Sequence, residues 1–167
     1  YNIENIDNVP WEEHNVDILI DSSGVSKNIE LSKKIKGKVK HIILTNSPNE
    51  NQIDKTIVYG VNHQDIDKNK DFLISSSICD AVAFAPIAKL IDDLYQIERG
   101  FLTTLHPWLA YQNLLDGPSK SYAVPGNIMD NYALGRTSPM TLIPKSTSAI
   151  SATYKILPSL KSKKHLS

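Results

Sequence analysis

The feature that most limits what this chain can fold into is a short apolar run followed by a polar or helical connection, met four times before residue 76. Val16-Asp-Ile-Leu-Ile20 leads into Asp21-Ser-Ser-Gly24 and then a helical segment, Lys27 to Ile35. His41-Ile-Ile-Leu-Thr45 repeats the pattern and stops at Asn46-Ser-Pro48, while Thr56-Ile-Val-Tyr-Gly60 and Asp71-Phe-Leu-Ile-Ser75 give a third and a fourth strand. Strands that alternate with helical or polar crossovers predict an open, parallel α/β sheet. In such a sheet ligands bind beyond the carboxyl ends of the strands, and Ser22, Ser23 and Gly24 stand at that edge. Serine is also a preferred helix N-cap, and the two roles are compatible.

Cys79, the only cysteine, follows the fourth strand and precedes a helical apolar pattern at Ile87, Leu90, Ile91 and Leu94. That places it at or near a helix N-terminus, where unpaired N–H groups and the positive end of the macrodipole favour the nucleophilic thiolate. His106 ends a second β-rich run, Phe101-Leu-Thr-Thr-Leu105, and an imidazole brought beside the sulfur can act as its base. On spacing alone the blander alternatives weigh more: a lone cysteine is usually a small buried hydrophobe, and a lone histidine a satisfied structural residue.

Residues over most of the chain carry a family pattern. Cys79, Ala85, Pro86 and Lys89 match S-C-T-T-N-C-L-A-P-x-x-K, and Thr103, Thr104, His106 and Gln112 match T-T-V-H-A-x-T-x-x-Q. Asp116 to Ser119 match D-G-P-S, and Ile143, Pro144, Ser146, Thr147 and Ala149 match I-P-x-S-T-G-A-A. Upstream, Val9-Pro-Trp11, Asp21-Ser-Ser-Gly-Val25 and Gly60-Val-Asn-His63 are similar to V-P-W, D/E-S-T-G-V-F and G-V-N-H. With four downstream motifs in order, the chain resembles the glyceraldehyde-3-phosphate dehydrogenase family.

The resemblance implies a partial Rossmann-type parallel sheet followed by part of an α+β catalytic domain, with 1–78 as the second half of the NAD-binding domain and 79–167 as the start of the catalytic one. It implies an oxidoreductase in which Cys79 attacks an aldehyde, His106 takes the thiol proton, and hydride passes to NAD or NADP. Ser23 and Gly24 would lie by the cofactor. Thr147, Ser148 and Arg136 would hold substrate phosphate, and the assembly would be a homo-oligomer, a tetramer by resemblance. Strand-Gly-x-Gly-x-x-Gly-helix, the turn that receives a dinucleotide pyrophosphate, does not occur in the sequence, so the chain is expected to be an internal piece of a longer enzyme.

Several pocket positions depart from the family. Ile78 replaces a serine and removes a hydroxyl donor; Asp80 replaces a threonine and puts a negative charge beside the thiol, opposing the thiolate and repelling phosphate. Leu109-Ala-Tyr111 stands for T-A-T, losing two hydroxyls, and Ser148 stands for glycine. Arg136 and Lys145 offer replacement cations, and the segment 120–132 is longer than its counterpart. These changes point away from plain glyceraldehyde 3-phosphate and leave open a catalytically silent homologue serving as a binding or subunit-interface module.

At 167 residues there is room for one ordinary domain or two small or incomplete ones. Eighteen basic residues balance eighteen acidic ones and are interleaved with them, so no nucleic-acid partner is implied and the Lys-rich pieces are expected to be solvated surface. One cysteine forms no intramolecular disulfide and suits a reducing compartment. No apolar run reaches the ~18–20 residues of a membrane span, so no membrane partner is expected, and the cytoplasm is the expected location. The expected partner is a small aldehyde, and no metal site is expected.

Overall fold

A computed structural model describes residues 3, 5–109, 112–117, 120–124, 127–130, 135–144, 146–162 and 166. Its residues form two compact units, 1–102 with 148–167, and 103–147.

The first unit is built on four strands: β1 (Ile18–Asp21), β2 (His41–Leu44), β3 (Lys55–Thr56) and β4 (Leu73–Ser75). They form a single sheet in the order β1-β2-β4-β3, and every pairing is parallel. Ile18 pairs with His41 and Ile42 with Leu73, so the carboxyl ends of the three longer strands align along one edge. β4, in the middle, is buried throughout, as expected of a parallel strand covered on both faces. β1, at the edge of the described sheet, alternates: Leu19 is half-buried, whereas Ile18 and Ile20 are 54% and 63% exposed.

Helix α1 (Lys27–Lys34) buries Ile29 against a cluster that includes Ile35, Val39, Ile42, Leu44, Phe72 and Leu73. Asp54 anchors the start of β4, its Oδ2 accepting the N–H groups of Phe72 and Leu73 at 2.8 and 2.7 Å.

Helix α2 (Cys79–Tyr95) begins as the sequence predicts, but its buried stripe is Ala81, Ala85 and Ala88 rather than the larger side chains. Small residues let α3 (Ala149–Ile156) approach closely, and Ala85 and Ala88 join Ile156, Leu157 and Leu160 in a second core cluster. The expected apolar face of Ile87, Leu90, Ile91 and Leu94 is exposed, Leu90 and Leu94 by 60% and 63%. A short helix α4 (Pro158–Lys161) starts on a proline, which suits the first helical turn. Lys155 of α3 donates to Pro48 O at 2.8 Å and to Ser47 Oγ at 3.1 Å, joining the helix to the loop after β2.

Two expected strands differ. The run Thr56 to Gly60 pairs only at its first residue, because Asn62 folds the chain back: its Oδ1 accepts from Val58 N and its Nδ2 donates to Thr56 O, both at 2.9 Å. Gly60, at φ 82°, supplies the left-handed residue of that turn. The run Phe101 to Leu105 has no regular structure; Phe101 and Leu105 are exposed, and nothing among the described residues pairs with them as a strand.

In the second unit, β5 (Lys120–Val124) and β6 (Asn127–Asp130) pair antiparallel, Lys120 opposite Asp130 and Val124 opposite Asn127. Side-chain bonds zip the flanking segments together: Thr137 N donates to Asp116 Oδ1 at 2.7 Å, Thr137 Oγ1 to Leu114 O at 2.7 Å, and Ser138 Oγ to Asn113 O at 2.8 Å.

Candidate active site

Strand β4 ends at Ser75, and three consecutive serines carry the chain from the sheet into α2. Ser76 donates twice to Leu44 O, through N at 2.8 Å and Oγ at 3.1 Å. Ser75, fully buried, donates its hydroxyl to Asn46 O and accepts from Ser77 N at 3.0 Å. These bonds hold Ser77 at φ 68°, a left-handed conformation that costs a residue with a Cβ about 1–2 kcal/mol. Ser77 is 2% exposed, and neither its hydroxyl nor Asn46 Oδ1 has a hydrogen-bond partner among the described residues.

The turn delivers Ile78 as an extended N-cap (φ −114°, ψ 158°) without a side-chain capping bond, and Cys79 as the first residue of α2. Cys79 is exposed, with its Sγ 3.9 Å from Asp80 Oδ1. The sulfur thus stands where sequence spacing puts it, at the start of a 17-residue helix near the carboxyl edge of a parallel sheet.

His106 belongs to the second unit, Cys79 to the first. The imidazole lies on an exposed stretch that ends where Gln112 Oε1 accepts from Leu109 N, so the motif glutamine closes the loop behind the histidine. Of the expected anion-binding groups, Arg136 faces Asp116, Nη1 to Oδ2 at 3.5 Å, with both side chains exposed. Thr147 is exposed at the end of the second unit. Ser148 is the N-cap residue of α3, where its carbonyl, not its hydroxyl, receives Ala152 N at 2.9 Å. Lys145, Ala110, Tyr111, Pro118 and Ser119 lie outside the described residues.

At the end of β1, Ser23 is fully engaged. Its Oγ donates to Asp21 Oδ1 at 2.6 Å and accepts from Val25 N at 3.2 Å and Asn28 Nδ2 at 3.0 Å. A hydroxyl has one proton and two lone pairs, so these bonds saturate it. Ser23 therefore shapes the turn, and the N-cap of α1 is Ser26, without a side-chain capping bond. Gly24 has φ 69°, with open space where a Cβ would stand. The turn is exposed at the carboxyl edge and offers backbone and open space, with no Ser23 proton left over.

The residues that sequence reasoning missed are the anchors. Asp21, Asn62 and Ser75 act through local side-chain-to-backbone bonds, for which the Asp-Ser-Ser-Gly turn and the Ser-Ser-Ser run were the available signals, whereas Asn46 acts through its backbone carbonyl, which receives the distant Ser75 hydroxyl. A cavity of about 830 Å³ opens at the opposite edge of the sheet between Lys36, Lys38, Lys68 and Lys70, away from Cys79. Among the described residues no cluster of His, Cys, Asp and Glu could hold a metal ion, and no helix is long and apolar enough to cross a membrane.

Residues 78–165, more than half of the chain, match the family model described as the glyceraldehyde 3-phosphate dehydrogenase C-terminal domain. The chain is 36% identical over 160 residues to a glyceraldehyde-3-phosphate dehydrogenase of Chlamydia pneumoniae, covering 95% of itself and 44% of that relative. It is 37% identical over 157 residues to one from Ogataea parapolymorpha, covering 93% and 43%, and 34% identical over 160 residues to glyceraldehyde-3-phosphate dehydrogenase 2 of Trichormus variabilis, covering 95% and 44%. The chain spans less than half the length of these relatives.

Proposed function

We propose, since the chain belongs to the glyceraldehyde-3-phosphate dehydrogenase family, that it forms part of an enzyme oxidising an aldehyde, phosphorylated in its natural form, with NAD or NADP. The supporting observation is the placement of Cys79: exposed, first in its helix, and held by a turn bonded to the neighbouring strand.

In this reading the Cys79 sulfur attacks the aldehyde carbon and His106 removes the thiol proton. A thiolate is needed because it is strongly nucleophilic and because its acyl thioester stays reactive enough to pass the acyl group on. A bound nicotinamide dinucleotide supplies the hydride acceptor. The turn Ser22 to Gly24 lies against it, Ser23 by holding the turn and Gly24 by leaving space. Thr147, Ser148 and Arg136 orient the anionic end of the substrate, Arg136 sharing its charge with Asp116. Residues 1–78 complete the cofactor domain and 79–167 begin the catalytic one, in a cytoplasmic homo-oligomer, a tetramer as in the family pattern.

The test is turnover of the full-length protein with small phosphorylated aldehydes. Cys79→Ser should abolish hydride transfer and His106→Asn should slow it by roughly 10²–10⁴. Unchanged rates in either variant would remove that residue from the mechanism.

The Asp80 carboxylate beside the sulfur, with Ile78 on the other side, favours a second reading, a catalytically silent homologue kept for binding or subunit contact. It predicts no reduction of NAD or NADP with any such aldehyde, and iodoacetamide labelling of Cys79 no faster than that of a free cysteine.

A further inference from the structure

The amino ends of the strands carry a charge pattern that the proposed reaction does not use. Two connections meet there, 36–41 leading into β2 and 67–72 leading into β4, and between them opens the cavity of about 830 Å³, a volume usual for small-molecule sites. Lys36, Lys38, Lys40, Lys68 and Lys70 line it, against the carboxylates of Glu12, Asp17 and Asp71.

Pairing cancels most of the negative charge and leaves positive charge in excess. Lys40 Nζ holds Asp17 Oδ1 at 2.6 Å, while Asp71 Oδ2 is taken up by Lys55 Nζ at 3.4 Å and by Asp67 N at 2.8 Å. Lys70 faces Asp67 at 3.3 Å. Among the described residues Lys36, Lys38 and Lys68 make no ion pair, and of the lining carboxylates Glu12 alone is in the same position. A concave surface with surplus positive charge raises the local concentration of anions.

The walls are held by backbone rather than by mobile side chains. Lys40 N and His41 N both donate to Asp17 O at 3.0 Å, and His41 Nδ1 bonds Asp71 O at 3.0 Å, so the approaches to β1, β2 and β4 are tied together. Lys36 Nζ stands 5.7 Å from the centroid of the Phe72 ring, a cation–π contact that positions the ammonium over a side chain only 6% exposed. Gly37, at φ 94° with open space where a Cβ would stand, leaves the backbone between Lys36 and Lys38 uncovered.

We infer that this cavity binds a small molecule carrying several phosphate groups, with Lys36, Lys38 and Lys68 as its charge partners. Ammonium groups meet phosphate as point charges and make charge-assisted hydrogen bonds to it, and three of them around one cavity suit several phosphates rather than one. A nucleic-acid strand fits less well. Single strands stack their bases on exposed aromatic rings, and the phenyl ring here, Phe72, is buried beneath Lys36.

The experiment is calorimetric titration of the full-length protein with inorganic tripolyphosphate and with myo-inositol hexakisphosphate. The expected result is saturable binding of one molecule per chain, weakened by added salt. Lys38→Gln combined with Lys68→Gln weakens it by about tenfold or more, whereas Lys27→Gln combined with Lys161→Gln, at exposed lysines outside the cavity, leaves it unchanged. Whichever probe binds more tightly tells a linear chain from phosphates borne on a ring. Equal loss in the two double variants reduces the cavity to diffuse surface charge and overturns the inference, and binding that neither variant weakens lies elsewhere and overturns it too. Orthophosphate binding as tightly as tripolyphosphate, a single-stranded oligonucleotide binding more tightly through the same lysines, or no binding of either probe has the same consequence.

Discussion

The Ser75 hydroxyl donates to the backbone carbonyl of Asn46, so the end of β4 is bonded to the segment that leaves β2, and the same oxygen accepts from Ser77 N. One buried atom thus sets the turn that presents Cys79. Ser75→Ala would leave a buried N–H without its acceptor, at a cost of about 1–3 kcal/mol. The expected outcome is a lower urea midpoint for the full-length protein together with an altered rate of Cys79 alkylation. An unchanged midpoint and rate would show the turn to be held by Ser76 alone.

Gly24 separates backbone cost from steric cost, because its φ of 69° is left-handed while nothing lies within 4 Å of a built Cβ. Gly24→Ala should destabilise by about 1 kcal/mol and Gly24→Asn by less, since Asn tolerates that conformation. Thermal denaturation of both variants checks the order. Equal effects would mean that the turn gives way rather than holding its angle.

The alanine stripe of α2 predicts opposite outcomes on its two faces. Ala88→Leu inserts three carbons between α2 and α3 where Ala88 is almost fully buried, and overpacking of this kind costs typically about 1–3 kcal/mol. Leu90→Ala on the exposed face should change the stability of the first unit by no more than ~0.5 kcal/mol. A large loss at Leu90 in the full-length protein would show that something covers that face there.

Asp116 carries two kinds of bond, and two substitutions separate them. Asp116→Asn keeps an oxygen for Thr137 N but removes the exposed pair with Arg136, which is worth about 0–1 kcal/mol. Asp116→Ala loses the acceptor as well and should cost more. If Arg136 binds substrate phosphate, Asp116→Asn should also lower the KM for a phosphorylated aldehyde, by releasing the guanidinium. A KM that rises or stays constant removes Arg136 from the anion site.

Much of the architecture was legible in local pattern. The runs at Ile18, His41 and Leu73 became parallel strands, and the change to a helical period after Ser75 put Cys79 first in α2. The misread elements share one cause, the priority of partners over propensity. Thr56 to Gly60 has β-branched and aromatic residues, but Asn62 captures its backbone; Phe101 to Leu105 is rich in β-formers, but has no strand beside it among the described residues. In α2 the apolar period was correct, whereas the buried face was the one with small side chains, which only the neighbouring α3 decides. The saturation of Ser23 was equally invisible, because it depends on Asn28 reaching back from α1.

The outward row of Ile18 and Ile20 has a consequence for biosynthesis. A strand at the edge of a sheet offers unpaired N–H and C=O groups, and here it adds two exposed isoleucines on one face. A nascent chain that has folded this sheet alone therefore displays a sticky template, the kind of surface that recruits holding chaperones or pairs with another copy. A charged residue in place of Ile20 would therefore relieve aggregation through this edge.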